Sequence, residues 1–272
     1  MSANAGQPSA AALAWVPGVR SDLAPLRIEK LLGGSVNDSW RVDTERGRFV
    51  LRVDGPPWRR PGVEREREHI LHEAAARGGL APRIVLQAPD AGVRVCEYLD
   101  GRSWTAADFV QPLQLRRLGD QLAQLHALPV PLEVEPFDPG ACARAYLSQL
   151  GDEPAADPNT RAQVASVDAA ALRVAAGTRG LAIVHGDLAH GNLLDGERLW
   201  LLDFEYAQVA DPLYDIACVL AYYPEARAQI ASLLSAANLN GADLAERLAA
   251  AESVYATLSE LWHAVRADEP SR

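Results

Sequence analysis

The sequence predicts an α+β chain, with strands first and helices after. Up to Tyr98 the apolar residues come in short runs divided by turn residues, the pattern of antiparallel hairpins. From Gln114 onward leucines recur at helical spacing, as in Leu115, Leu118, Leu122 and Leu125. Within the helical half one stretch, residues 184–215, gathers an Asp, an Asn, a short apolar run and a second Asp.

Taken in order, residues 1–7 are small and polar and predict disorder. Residues 10–15 can form a short helix, stopped by Pro17-Gly18. Residues 26–32 read as a strand, 40–42 as its hairpin partner and 49–53 as a third strand. Residues 56–62 are a loop, and 63–77 a charged helix with Ile70, Leu71, Ala74 and Ala75 as its apolar stripe. A second hairpin covers 84–87 and 93–98. The Gln114 helix closes at His126, which reads as a capping or core residue. Residues 129–140 are an extended Pro-rich connection, and 151–159 a polar loop between helices over 142–150 and 160–176. Residues 182–184 form a buried strand, and helices follow over 213–221, 226–237 and 243–267, with fraying expected from Val265.

At 272 residues the chain can bury a sizeable core as one large domain or two lobes. A net charge of −10 excludes the basic footprint of a nucleic-acid-binding surface. Lys30 is the only lysine. Cys96, Cys142 and Cys218 form neither a disulfide framework nor a metal-ligand spacing, which predicts a reducing cytoplasm. The N-terminal residues lack a basic region and a long apolar run, so neither a signal peptide nor a membrane span is expected.

The central stretch reads VHGDLAHGNLLDGERLWLLDFEYAQVADPLYD. One carboxylate, Asp187, can take a proton from a substrate hydroxyl. The amide oxygen of Asn192 and the carboxylate of Asp203 can hold Mg²⁺ against nucleotide phosphates. Phosphoryl transfer needs that division of labour, because its catalysis is positioning and charge neutralisation. Upstream, Gly33-Gly34-Ser35-Val36-Asn37-Asp38 is a candidate phosphate loop, where glycine lets backbone N–H groups approach phosphate and Ser35 and Asn37 can add side-chain bonds.

His-Gly-Asp, Asn192, a strand and Asp-Phe-Glu in this order resemble the aminoglycoside phosphotransferase and choline kinase superfamily, relatives of protein kinases. The DFEYA…DPLYDIA form is most similar to its choline, ethanolamine and thiamine kinase branch. The resemblance implies a bilobal, protein-kinase-like α+β fold. Residues 1–98 would form a small antiparallel-sheet lobe, and residues 99–272 a larger, mainly helical lobe with the catalytic loop and acceptor pocket. It implies ATP and Mg²⁺ as cofactors and a small-molecule alcohol as acceptor.

Carried onto this sequence, the resemblance assigns Asp187 to catalysis and Asn192 and Asp203 to the metal. Gly34, Ser35, Asn37 and Arg52 would contact the nucleotide, Arg52 standing where protein kinases have a lysine. One of Glu64, Glu66 and Glu68 should pair with Arg52; Glu68, one turn before Leu71, lies nearest the apolar stripe. The segment 96–101 falls at the hinge, where backbone groups of Glu97 and Leu99 would meet the adenine edge. His185 orients the catalytic loop, and Asp215 braces it. His190 matches no required role and reads as exposed or phosphate-proximal.

Glu205 can face a cationic acceptor or pack against arginines. Tyr222, Tyr223 and Trp262 are candidate walls for such a cation, because the late helices form the acceptor pocket in relatives. Choline, ethanolamine, thiamine, an aminoglycoside or an amino sugar all remain open as acceptors. A non-catalytic ATP-binding module of the same fold is the reading from another class, opposed by the intact Asp187, Asn192 and Asp203 set.

Overall fold

The computed structural model describes residues 6–20, 23–31, 37–55, 63–150, 155, 157–177 and 180–267. The chain forms a bilobal, protein-kinase-like fold. A short helix, α1 (Ala10–Leu13), precedes strands β1 (Arg27–Lys30), β2 (Asp38–Thr44) and β3 (Gly47–Val53). Helix α2 (Arg65–Arg77) follows, then β4 (Ile84–Ala88) and β5 (Val93–Glu97). These five strands make one antiparallel sheet in the order β1-β2-β3-β5-β4.

The sheet is built by period-two alternation. Trp40, Val42, Phe49, Leu51, Val93 and Val95 fill a small core that Ala12 and Val16 cover. Trp40 donates its indole N–H to the Gly6 carbonyl, which ties down part of the segment expected to be disordered. On β3 the intervening position of Arg52 pairs in register with Ser39 on β2 and Arg94 on β5. In α2 the buried positions are Glu68, Leu71, His72 and Ala75, a stripe at helical spacing with a carboxylate in it. Leu71 and Ala75 belong to the larger core, so α2 joins the small sheet to the helical lobe.

The helical lobe contains α3 (Pro112–His126), α4 (Pro139–Leu147) and α5 (Pro158–Ala175). It ends with α6 (Leu213–Tyr222), α7 (Ile230–Ala236) and α8 (Leu244–Ala267). Leu115, Leu118, Leu122 and Leu125 of α3 lie at the centre of its core. Gly119 is required there: a Cβ would come 2.6 Å from the Leu233 carbonyl of α7. Short strands carry the loops of interest. β7 (Ala182–Val184) pairs with β10 (Gln208–Ala210), and β6 (Arg102–Ser103), β8 (Leu193–Asp195) and β9 (Leu199–Leu201) form a second small sheet.

Most strand and helix ends shift by one to three residues from the sequence expectation, and four differences bear on the fold. Helix α4 starts at Pro139 rather than 142, because Asp138 caps it through Ala141 N and proline suits the first turn. Helix α5 starts at Pro158 for the same reason, with Asp157 accepting from Thr160 N. The segment expected as one helix over 226–237 opens as a 3₁₀ turn, Pro224–Gln229, before α7. Val265 and Arg266, expected to fray, are helical, and the Arg266 guanidinium lies 4.8 Å from the Trp262 ring centroid one turn back. The loop expected over 56–62 lies outside the described residues.

Candidate active site

β7 runs into His185-Gly186-Asp187, and the turn is locked from below by Asp215. That carboxylate is fully buried at the start of α6. It accepts hydrogen bonds from His185 N at 3.0 Å and Gly186 N at 2.9 Å. A third donor is the His126 Nε2 at 2.9 Å. Three donors make up for the water a buried carboxylate loses. The bracing role read for Asp215 has this geometry, and His126 is a partner that sequence reading assigned no chemistry. Gly186 has φ +74° and its Cβ position would fall 2.5 Å from the Tyr206 carbonyl, so no other residue fits.

His185 is also fully buried. Its Nε2 donates to the Leu202 carbonyl at 2.9 Å, and its Nδ1 accepts from Asp187 N. Burial lowers its pKa, and a neutral ring suits one donor and one acceptor. The ring tilts against Phe204, whose other neighbour is the stacked ring of His72 on α2. Phe204 thus links the catalytic loop to α2.

Asp187 is held at both oxygens. Asn192 Nδ2 donates to Oδ2 at 2.8 Å and to the Asp187 carbonyl at 2.9 Å. The Tyr222 hydroxyl donates to Oδ1 at 2.8 Å. With its nitrogen turned to Asp187, Asn192 keeps its side-chain oxygen for another partner. Asp203 follows β9 with φ +60°, a left-handed conformation rare outside glycine. Its side chain keeps 37% of its surface exposed and approaches Arg52 Nη1 at 3.4 Å. Desolvation within the cavity pushes its carboxyl up to about 7, against the pull of Arg52, and Glu205, Glu68 and Asp187 add to the rise. A hard cation would relieve that cost, and the oxygens of Asp203 and Asn192 are donors of the kind Mg²⁺ takes.

Glu68 pairs with Arg52 at 2.6 and 3.1 Å. It also accepts from Arg65 Nη1 at 2.7 Å and from Arg94 Nη1. Burial would raise the carboxyl, but the three guanidiniums outweigh it and bring Glu68 down to about 2. Arg65 and Arg94 were not foreseen. Arg65 lies one turn from Glu68 and was findable; Arg94 meets it only through the β3–β5 register.

Other expected residues have different surroundings. Asn37 donates to Glu205 Oε2 at 3.1 Å and its oxygen faces Gly55 N and Arg65. Glu205 also accepts from Arg65 at 3.2 Å, so its arginine-facing alternative has direct contacts. Glu97 takes Arg83 N with its side chain and donates its own N–H to the Arg83 carbonyl. Neither Glu97 nor Leu99 lines the central cavity. Gly34 and Ser35 lie outside the described residues.

That cavity, of about 490 Å³, has Asp187, Asn192, Asp203 and Arg52 in its lining. Tyr222 and Trp262 line it as expected; Tyr223 does not, and instead stacks on Phe109. Tyr146, Tyr206 and Tyr255 complete an aromatic wall that sequence reading missed. Trp262 donates to the Tyr206 hydroxyl at 2.8 Å, and the Tyr255 ring meets Tyr222 edge-on. Tyr255 and Trp262 are two turns apart on one face of α8, a signal the sequence did contain.

A catalytic-loop carboxylate, an amide and a second carboxylate converging between a small sheet and a helical lobe define a phosphotransferase. The chain belongs to the phosphotransferase enzyme family, which it matches over residues 27–267. Among solved structures it is similar to a choline/ethanolamine kinase family protein from Mesorhizobium loti, at 26% identity and a TM-score of 0.76, covering 93% of this chain and 83% of that one. The choline kinase of Streptococcus pneumoniae is 20% identical, with a TM-score of 0.73 over 93% and 89%. A spectinomycin phosphotransferase has 13% identity and a TM-score of 0.54 over 90% of each chain. The fold therefore follows the choline kinase branch more closely than this antibiotic-modifying enzyme. No curated protein sequence matches the chain.

Proposed function

We propose that this enzyme transfers the γ-phosphoryl group of ATP to the hydroxyl of a small cationic alcohol of the choline, ethanolamine or thiamine kind. The observation that carries the reading is the cavity: an aromatic wall of Tyr206, Tyr222, Tyr255 and Trp262 beside the carboxylate of Asp187. Aromatic faces and a carboxylate attract an organic cation. Among the described residues Arg52 is the only arginine lining the cavity and no lysine lines it, and Arg52 is paired with Glu68. An aminoglycoside, with amines on several rings, would need more acids than this wall offers.

In this reading Asp187 orients the acceptor hydroxyl and takes its proton as the oxygen bonds to the γ-phosphorus and ADP departs. Tyr222 and Asn192 fix the rotamer of that carboxylate. Asn192 and Asp203 would hold Mg²⁺, which supplies positive charge against the phosphates. Among the described residues no group of three or more His, Cys, Asp or Glu side chains could hold a metal alone, so the remaining ligands would be phosphate and water oxygens. Arg52, held by Glu68, would contact the nucleotide together with Gly34, Ser35 and Asn37, and the backbone of Glu97 and Leu99 would meet the adenine. The lobe boundary is kept at residues 98/99, supported by Tyr98 N, which still bonds the Arg48 carbonyl of the small sheet. A cytoplasmic location is supported by three unpaired thiols, and no helix among the described residues is long and apolar enough to cross a membrane.

The test is Mg-ATP consumption against choline, ethanolamine, thiamine, aminoglycosides and amino sugars, with product masses. One added phosphate on a member of the first three is the expected result. Turnover of an aminoglycoside alone, or of none of them, would overturn the acceptor class.

A further inference from the structure

We propose that His190 is a hydrogen-bond donor to the phosphoryl group in transfer, pre-set for that task by Tyr223. The inference rests on the phosphotransfer reading above. It begins with a ring that cannot move. Tyr223 is 8% exposed and stacks face to face on the fully buried Phe109, with centroids 3.7 Å apart. Its hydroxyl lies 2.6 Å from the backbone N of His190 and 2.9 Å from the same residue's Nδ1. The backbone N–H can only donate, so the phenol oxygen accepts there. The phenol's own hydrogen then has Nδ1 as its partner among the described residues. An accepting Nδ1 puts the hydrogen of the neutral imidazole on Nε2.

That Nε2–H has no partner among the described residues, and His190 lines the same cavity as Asp187 and Asn192. Residues 189–192 of the catalytic loop all line it. Within them Asn192 Nδ2 is engaged by Asp187, Ala189 and Gly191 have no polar side chain, and His190 carries the free side-chain donor. A phosphoryl group next to Asp187 and Asp203 meets negative charge. Arg52, the cavity's one guanidinium among the described residues, already bonds Glu68 through both terminal nitrogens and touches Asp203. A fixed donor from the 189–192 segment offsets that repulsion without reorganising during the reaction. As the acceptor oxygen bonds to the γ-phosphorus, the bond to the bridging oxygen breaks and ADP leaves. The acceptor's proton passes to Asp187, while His190 keeps its hydrogen and donates it to a peripheral phosphoryl oxygen.

Nuclear resonance of the ¹⁵N-labelled ring tests the device without turnover. The expected result is the Nε2–H tautomer in the free protein, loss of that preference in Tyr223→Phe, and an Nε2 response to Mg-ATP that Mg-ADP does not produce. In kinetics, His190→Ala should lower kcat about 100- to 1000-fold with the acceptor KM within about threefold. His190→Gln, which restores an N–H at similar reach, should recover part of the loss. An Nδ1–H tautomer, an equal response to both nucleotides, or wild-type kcat in His190→Ala would each overturn the proposal. If the wild type turns over no acceptor, the phosphotransfer reading fails, and the tautomer and nucleotide responses still decide this one.

Discussion

Replacing Glu68 by Gln should remove the anchor of a buried charge network while keeping its volume. Glu68 is fully buried, yet three arginines hold its carboxyl at about 2, down from an ordinary 4.5. At roughly 1.4 kcal/mol for each tenfold change, that displacement corresponds to about 3 kcal/mol of stability. Breaking buried ion pairs by removing one partner gives a similar ~3–5 kcal/mol, since Arg94 would lose its carboxylate partner among the described residues and Arg52 would keep only the longer contacts to Asp54 and Asp203. The sign follows from the lowered pKa. The contribution is fully present above pH 4.5 and is lost as pH falls toward 2. Urea unfolding of wild type and Glu68→Gln at a series of pH values measures it. The midpoint difference should be large at pH 7 and shrink below the carboxylate's ordinary value. His72 adds acid sensitivity to both proteins, because burial holds its ring down at about 3. A midpoint difference that stays constant down to pH 3, or that is absent at pH 7, would refute the network argument.

Three further outcomes follow from the same geometry. Asp187→Asn should abolish measurable turnover while calorimetry finds Mg-ATP affinity within a few-fold of wild type; retained turnover would remove Asp187 from proton transfer. Asp203→Ala should weaken Mg-ATP binding by about tenfold or more, since a carboxylate ligand is lost, and wild-type affinity would sink the metal assignment. Tyr255→Leu and Trp262→Leu should each raise the acceptor KM by about 2- to 30-fold, the range of ~0.5–2 kcal/mol for a cation on an aromatic face. Their kcat should change little, and an unchanged KM in both would place the acceptor elsewhere.

Much of this molecule was legible in one dimension. Period-two runs in β2 and β3 and the leucine repeat of α3 specify their own elements, because each must turn one face to a core. The spacing Asp187–Asn192–Asp203 pointed to one site, since a loop of fixed length and two short paired strands leave few ways to arrange those side chains. Glu68 was findable because a carboxylate inside a buried helical stripe must have a cation waiting for it.

What the chain could not reveal locally depends on contacts between distant segments. Arg94 reaches Glu68 through strand register, and His126 reaches Asp215 because α3 packs beneath the catalytic loop. Asn37 meets Glu205 across the lobes. Tyr222 and Tyr223 are neighbours in sequence, yet α6 ends at Tyr222 and Tyr223 leaves it with a non-helical backbone, φ −133° and ψ 75°. One therefore donates to Asp187 while the other stacks on Phe109 and orients His190. Residue type and spacing determine which chemistry this chain can perform. Which of two adjacent tyrosines faces the substrate cavity is decided by the packing of α6 against the rest of the fold, a property of three dimensions alone.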